Sequence, residues 1–117
     1  MDLFAISLTD FSPLEDHEKW FPGLYAMLDE KGECLYIGES SDVPRRIGEH
    51  RRKKKWFPDV DQVLGLVIPG ASDRLIAETV LQLRTFPRYC GAVKIGFSWE
   101  KKAVHSLQFI RTRRAIQ

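Results

Sequence analysis

The stretch that most constrains this chain is residues 23–40, GLYAMLDEKGECLYIGES. Leu24, Ala26 and Leu28 alternate with Tyr25 and Met27. That is the period of a strand whose side chains point to opposite faces in turn. Asp29-Glu30-Lys31-Gly32 then supplies turn chemistry, and residues 33–38 read as the returning strand. A symmetric four-residue tip sets Tyr25 directly opposite Tyr36, with Cβ atoms roughly 5 Å apart. The two phenols then project side by side from one face. Gly23 and Gly38 stand near the open end of this hairpin, and glycine within a strand often marks close approach by another backbone or a ligand. Pairing alone is satisfied equally by an aromatic pair packed for sheet stability and by half of an active site.

The remaining elements follow from local chemistry. Residues 1–21 read as irregular, with a short helix around residues 13–19. Asp42 reads as the N-cap of a helix with Pro44 in its first turn, running to about Lys53. Trp56-Phe57-Pro58 breaks it. Residues 60–68, VDQVLGLVI, are apolar enough for a well-buried third strand, ended by Pro69-Gly70. Ser72 reads as the cap of a second helix, with Asp73 in its first turn and Arg84 near its last. Leu75, Ile76, Val80 and Leu83 would be its buried stripe, and Pro87 its stop. A basic helix over about residues 98–113 completes the order ββαβα(α). This predicts one α+β domain with a small, three-stranded, largely antiparallel sheet flanked by helices. A chain of 117 residues suits one modest core.

Composition excludes several classes. Apolar residues at 44% and charged residues at 29% argue against disorder. No apolar run approaches the roughly eighteen residues of a membrane span. The apolar but acidic N-terminus lacks the basic flank of a signal peptide, so the chain reads as intracellular, with no membrane partner. Cys34 and Cys90 show no zinc-type spacing. Net charge is only +2, yet residues 45–55, RRIGEHRRKKK, hold seven Lys or Arg. Such a run is either a solvated helix end or a footprint for a phosphate backbone.

Three residues of the helices carry chemical potential. Arg46 and His50 are four apart and share a helical face. Guanidinium matches phosphate in bidentate fashion, and imidazole moves protons near neutral pH. Gly48 between them costs about 1 kcal/mol of helix stability, which points to close packing there. Glu78 lies at the border of its helix's apolar stripe. Taken alone it is a boundary glutamate paired to Arg74, although Mg²⁺ often binds through one or two carboxylates plus waters and phosphate.

Together these residues resemble the GIY-YIG nuclease domain. Gly23-Leu24-Tyr25 stands in the first motif place, with leucine for isoleucine, and Tyr36-Ile37-Gly38 matches the second as written. Arg46, His50 and Glu78 fall in the family's order, and the likeness covers about residues 22–91. It leaves an N-terminal extension, residues 1–21, and the C-terminal basic helix. The resemblance implies a metal-dependent endonuclease acting on DNA, with Tyr25, Tyr36, Arg46, His50 and Glu78 as catalytic residues. Glu78 would bind one divalent cation, Mg²⁺ or Mn²⁺. Gly38, Arg45, Arg51, Arg52, Lys53, Lys54 and Lys55 would contact DNA. One active site nicks one strand per event, so double-strand cutting needs a homodimer or two encounters, and specificity is left to the basic segments or a partner protein. Two positions depart from the family. Cys90 stands where an asparagine is common, and a thiol donates and accepts hydrogen bonds only weakly. That favours an alternative, a GIY-YIG-fold DNA-binding module that cuts weakly or not at all. Glu39 follows the second motif; on an alternating strand it faces away from Gly38. A third reading, an α+β interaction protein with both tyrosines in the core, requires the phenols and Glu78 to be sealed and far apart.

Overall fold

Four antiparallel strands form one sheet in this computed structural model, which describes residues 1–89 of the 117. They are β1 (Ser12–Pro13), β2 (Gly23–Leu28), β3 (Cys34–Ser40) and β4 (Gln62–Val67), in the spatial order β1-β4-β2-β3. Two helices, α1 (Val43–Lys53) and α2 (Ala71–Thr85), cover its two faces. The expected C-terminal helix and Cys90 lie outside the described residues.

The alternation in β2 requires cover on both sides, and every position of β2 is buried. Leu24, Ala26 and Leu28 pack with Ile37, Leu64, Ala77 and Leu81 on the α2 side. Tyr25 and Met27 pack with Phe21, Val43 and Ile47 on the α1 side.

The expected direct opposition of Tyr25 and Tyr36 is corrected by the register. Tyr25 pairs with Gly38, and Tyr36 pairs with Met27. The cause lies at the tip. The Asp29 carboxylate accepts the N–H groups of Lys31 and Glu33 at 2.9 Å each, and Asp29 N–H donates to Glu33 O. The turn therefore closes over residues 29–33, with Gly32 at φ +81°. A β-irregularity between Met27 and Leu28 shifts the pairing further. The total slip is even, so the faces are preserved. Both tyrosines still share one side, with near-parallel rings 5.9 Å apart.

The three-stranded expectation missed β1. Its two residues pair with Gly65 and Leu64 of β4, and Pro13 is tolerated because the strand is at an edge. The expected helix over residues 13–19 is only a 3-10 turn, Leu14–Asp16. His17 fastens this extension to the sheet. Its Nε2 is 2.9 Å from Gly65 O and 2.9 Å from Ser12 Oγ, and its ring stacks on Phe21.

Helix α1 begins as expected, with the Asp42 side chain accepting from Arg45 N–H. Gly48 is a correction. A Cβ there would meet only Arg52 Nη1, at 3.6 Å, so no close packing explains that glycine. Helix α2 is capped by Gly70 rather than Ser72. Its buried residues are Arg74, Ala77, Leu81 and Gln82, while Leu75 and Ile76 are 54% and 40% exposed. Polar anchors set this rotation. Arg74 donates to the carbonyls of Ile68 and Pro69, and Gln82 donates to the Ile37 carbonyl at 2.9 Å.

Candidate active site

Tyr25 points from the central strand toward the sheet edge, across β3. It can do so because its pairing partner is Gly38. A Cβ at residue 38 would lie 2.3 Å from the Tyr25 phenol oxygen and 2.5 Å from Cζ. The close approach anticipated at Gly38 is thus by the Tyr25 ring. At Gly23 it is by backbone, with the Leu66 carbonyl oxygen 2.0 Å from an added Cβ.

Across β3 the Tyr25 oxygen meets α1, where His50 Nε2 lies 2.7 Å away. His50 is buried. It sits among the rings of Tyr25, Tyr36 and Trp56, with centroids 5.6, 4.7 and 6.0 Å away. Burial, reinforced by the positive charges of Arg46 and Lys54, lowers its pKa from 6.5 to about 4. Burial also pushes the Tyr25 phenol well above its usual range; Tyr36 adds to this, and the Arg46 guanidinium partly offsets it. At neutral pH the phenol is protonated and the imidazole neutral, so the contact is a single-proton hydrogen bond.

That environment has a consequence for stability. The unfolded chain takes up the His50 proton near pH 6.5, whereas the folded chain resists it to about 4. Between those values the unfolded state binds more protons, so stability falls as pH drops. The expected loss is about 3 kcal/mol once pH is below both values. Urea denaturation at about pH 7 and about pH 4.5 should show a smaller pH difference for His50→Gln than for the parent.

Tyr36 is partly buried. It stacks on Trp56 at 5.5 Å, and Trp56 stacks in turn on Tyr89 at 4.8 Å. The indole thus stacks with both tyrosines, and its position restricts the Tyr36 ring. Trp56 belongs to the site's architecture, although in sequence it reads only as the break after α1.

The side chains converge on one hollow of about 330 Å³. Tyr25, Tyr36, Arg46 and Glu78 all line it, with Gly38, Glu39, Ser40, Ser41 and Leu75. Arg46 arrives from α1 and Glu78 from α2, so the helices on opposite faces reach around the β3 edge to the same space. The arrangement rules out phenols and carboxylate sealed in separate parts of the core. Of the five expected catalytic residues four line the hollow; His50 stands behind Tyr25 and reaches it through the phenol.

Glu78 is not where a boundary glutamate paired to Arg74 would be. Arg74 instead pairs with Glu39, Nε to Oε2 at 3.0 Å. Glu39 lies opposite Leu24 in the register, on the α2 side and turned from Gly38 as expected. Its charge is met by a guanidinium whose side chain is 8% exposed. Removing one partner of such a buried pair strands the other. Arg74→Ala should destabilise the protein by about 2–3 kcal/mol, below the buried-pair range because Glu39 reaches water. Denaturant titration checks this, and Arg74→Lys should recover only part of the loss.

A divalent cation fits these donors. Among the described residues no group of three His, Cys, Asp or Glu is arranged as a metal cage. Two carboxylates line the hollow, Glu78 and the Arg74-bound Glu39. So few acidic donors suit an ion that keeps most of its waters, and at about 30 Å³ per water the space is ample. The expected nucleic-acid residues Arg45, Arg51, Arg52, Lys53, Lys54 and Lys55 are all exposed on and just beyond α1. Glu49, on the same helix, was not singled out in the sequence; its three-residue spacing from Arg46 was the signal available.

No helix of the described residues is long and apolar enough to cross a membrane. The GIY-YIG catalytic domain family matches residues 21–59. UvrABC system protein C of Nitrosococcus oceani is 36% identical over 75 residues, and that of Desulfotalea psychrophila 30% over 76. Each match covers 58% of this chain but only 12% of the relative's length. Among solved structures, the GIY-YIG N-terminal endonuclease domain of UvrC from Thermotoga maritima, bound to its catalytic divalent cation, magnesium, has a TM-score of 0.55 at 20% identity. It covers 61% of this chain and 84% of that one. A point mutant of the same domain gives a TM-score of 0.56 at 19% identity. The GIY-YIG catalytic domain model thus matches the segment that holds both motifs, and the described residues share the fold of the UvrC GIY-YIG domain.

Proposed function

We propose that this chain is a metal-dependent endonuclease that hydrolyses DNA phosphodiester bonds at a single active site. One observation carries the reading: Tyr25, Tyr36, Arg46 and Glu78, from four different elements, line one hollow. Arg46 holds the scissile phosphate and offsets charge developing on it. Glu78 holds one divalent cation, Mg²⁺ or Mn²⁺. When bound, such an ion supplies positive charge to the phosphate oxygens and the leaving 3′ oxygen. Tyr25 keeps its proton in the buried bond to His50 and acts as a hydrogen-bonding group. Tyr36 therefore orients the attacking water, and would take its proton only as the phenolate, a form that the positive charges of Arg46 and a bound cation would favour. Arg45, Arg51, Arg52 and Lys53 to Lys55 line up outside the hollow as contacts for the DNA backbone, where they make binding salt-sensitive. Specificity is left to the basic segments, a homodimer or a partner protein.

The test is a plasmid-nicking assay with Mg²⁺, with Mn²⁺ and with EDTA. Nicking that requires the metal supports the proposal. Salt-sensitive DNA binding with no nicking in any metal overturns it in favour of the binding module, the reading that Cys90 supports.

A further inference from the structure

The guanidinium that faces the hollow is also held by a carboxylate from its own helix. Arg46 Nη1 is 2.8 Å from Glu49 Oε2. The other Glu49 oxygen is 3.8 Å from Arg45 Nε. The Glu49 side chain is 22% exposed, against 41% for Arg46 and 77% for Arg45. The Arg46 hydrogen bond is the main reason the Glu49 carboxyl lies below its usual range, with Arg45 and Lys53 adding to it. Glu49 is therefore ionised whenever the hollow meets a ligand at neutral pH.

A phosphodiester presents the same attraction to Arg46 that Glu49 already satisfies: oxygens sharing a negative charge, suited to a guanidinium's forked donors. If Glu49 stays, two like charges share one cation within a few ångströms, which is unfavourable even in water. If Glu49 leaves, its bond to Arg46 is lost. In both cases the carboxylate opposes the phosphate. The helix also offers it another resting place, since Arg45 already touches it and Lys53 stands one turn on.

We propose that Glu49 competes with the phosphodiester for Arg46, and that this competition sets the affinity of the hollow for nucleic acid. The proposal rests on the hollow being a phosphodiester site. In the unliganded protein Glu49 holds Arg46; in the loaded protein it turns to Arg45 and Lys53. A phosphate backbone that also engages the exposed basic run displaces it readily, while an isolated anion has only Arg46 to engage. Glu49 thus favours a continuous phosphate backbone over a single phosphate.

The test measures binding of a fluorescently labelled DNA duplex by anisotropy, in EDTA so that no cleavage intervenes. The proteins are the parent, Glu49→Gln, Arg46→Ala and the double variant. Glu30→Gln, at the hairpin tip, controls for total charge. Glu49→Gln should bind about fivefold more tightly than the parent, the scale of one partly exposed ion pair. In the Arg46→Ala background the gain should disappear, and Glu30→Gln should show none of it. Weaker binding by Glu49→Gln overturns the proposal, since Glu49 would then be orienting Arg46 productively. An equal gain in both backgrounds, or an equal gain from Glu30→Gln, overturns it as a general charge effect. Nicking is scored separately. The predicted binding pattern without nicking keeps this proposal and removes the nuclease reading. Metal-dependent nicking with no effect of Glu49→Gln does the reverse, and no binding by any of the proteins removes both.

Discussion

Glu78→Ala should lower metal-dependent nicking by about a thousandfold while leaving the fold intact. Glu78 lines the hollow beside Tyr25, Tyr36 and Arg46, whereas the other carboxylate there, Glu39, is committed to Arg74. It is therefore the acidic group best placed for a hydrated cation. An ion that polarises a phosphoryl oxygen is worth several kcal/mol of transition-state stabilisation, and about 4 kcal/mol is a factor of a thousand. Side-chain truncation at a partly exposed helix position costs little stability. Plasmid nicking in Mg²⁺ measures the first effect and thermal unfolding the second. A variant that nicks at the parent's rate would remove Glu78 from the chemistry, and with it the proposed mechanism.

Gly38→Ala should damage both the site and the fold. The added methyl would lie 2.3 Å from the Tyr25 oxygen, closer than real contacts allow. The obstacle is a rigid ring, buried and tied to His50 at 2.7 Å, not the far end of a flexible chain. Either the ring leaves its hydrogen bond or β3 shifts outward. Overpacking of this kind costs about 1–3 kcal/mol, and the lost bond leaves buried polar atoms unsatisfied at about 1–3 kcal/mol more. A combined loss of about 3 kcal/mol is expected by denaturant titration. Nicking should fall by at least about a hundredfold, because a misplacement near 1 Å at reacting groups costs that much. Tyr25→Phe separates the two effects: it loses the hydrogen bond but keeps the ring over Gly38, so it should retain more stability than Gly38→Ala.

Much of this was legible in the residues. Two-residue periodicity placed the hairpin and its shared tyrosine face, and Asp42 with Pro44 placed the start of α1. Arg46 and Glu78 came from motif order, and the hollow brings them together. Other features depended on information that local sequence does not carry. The register turned on side-chain hydrogen bonds made by Asp29, which lengthened the turn. The rotation of α2 was set by Arg74 and Gln82 bonding to backbone carbonyls, so a pattern drawn from apolar residues alone chose the wrong stripe. Strand β1 has only two residues, one of them proline, and no periodicity can reveal it. Trp56 and His50 look like a helix breaker and a surface histidine until the fold closes around them.

The sheet's two margins also bear on edge-to-edge strand pairing between copies of the chain. An open strand edge is a template for pairing with another chain. On one margin the outermost strand is β1, which is very short and whose Pro13 has no N–H to offer a visitor. On the other, the N–H groups of Arg88 and Tyr89 already bond to the carbonyls of Cys34 and Leu35 at the start of β3. Farther along β3 the Tyr25 ring covers Gly38, and Arg46 and Glu78 converge there. Among the described residues the stretch of β3 edge beside the hollow is thus flanked by charged side chains, a device that discourages edge-to-edge stacking.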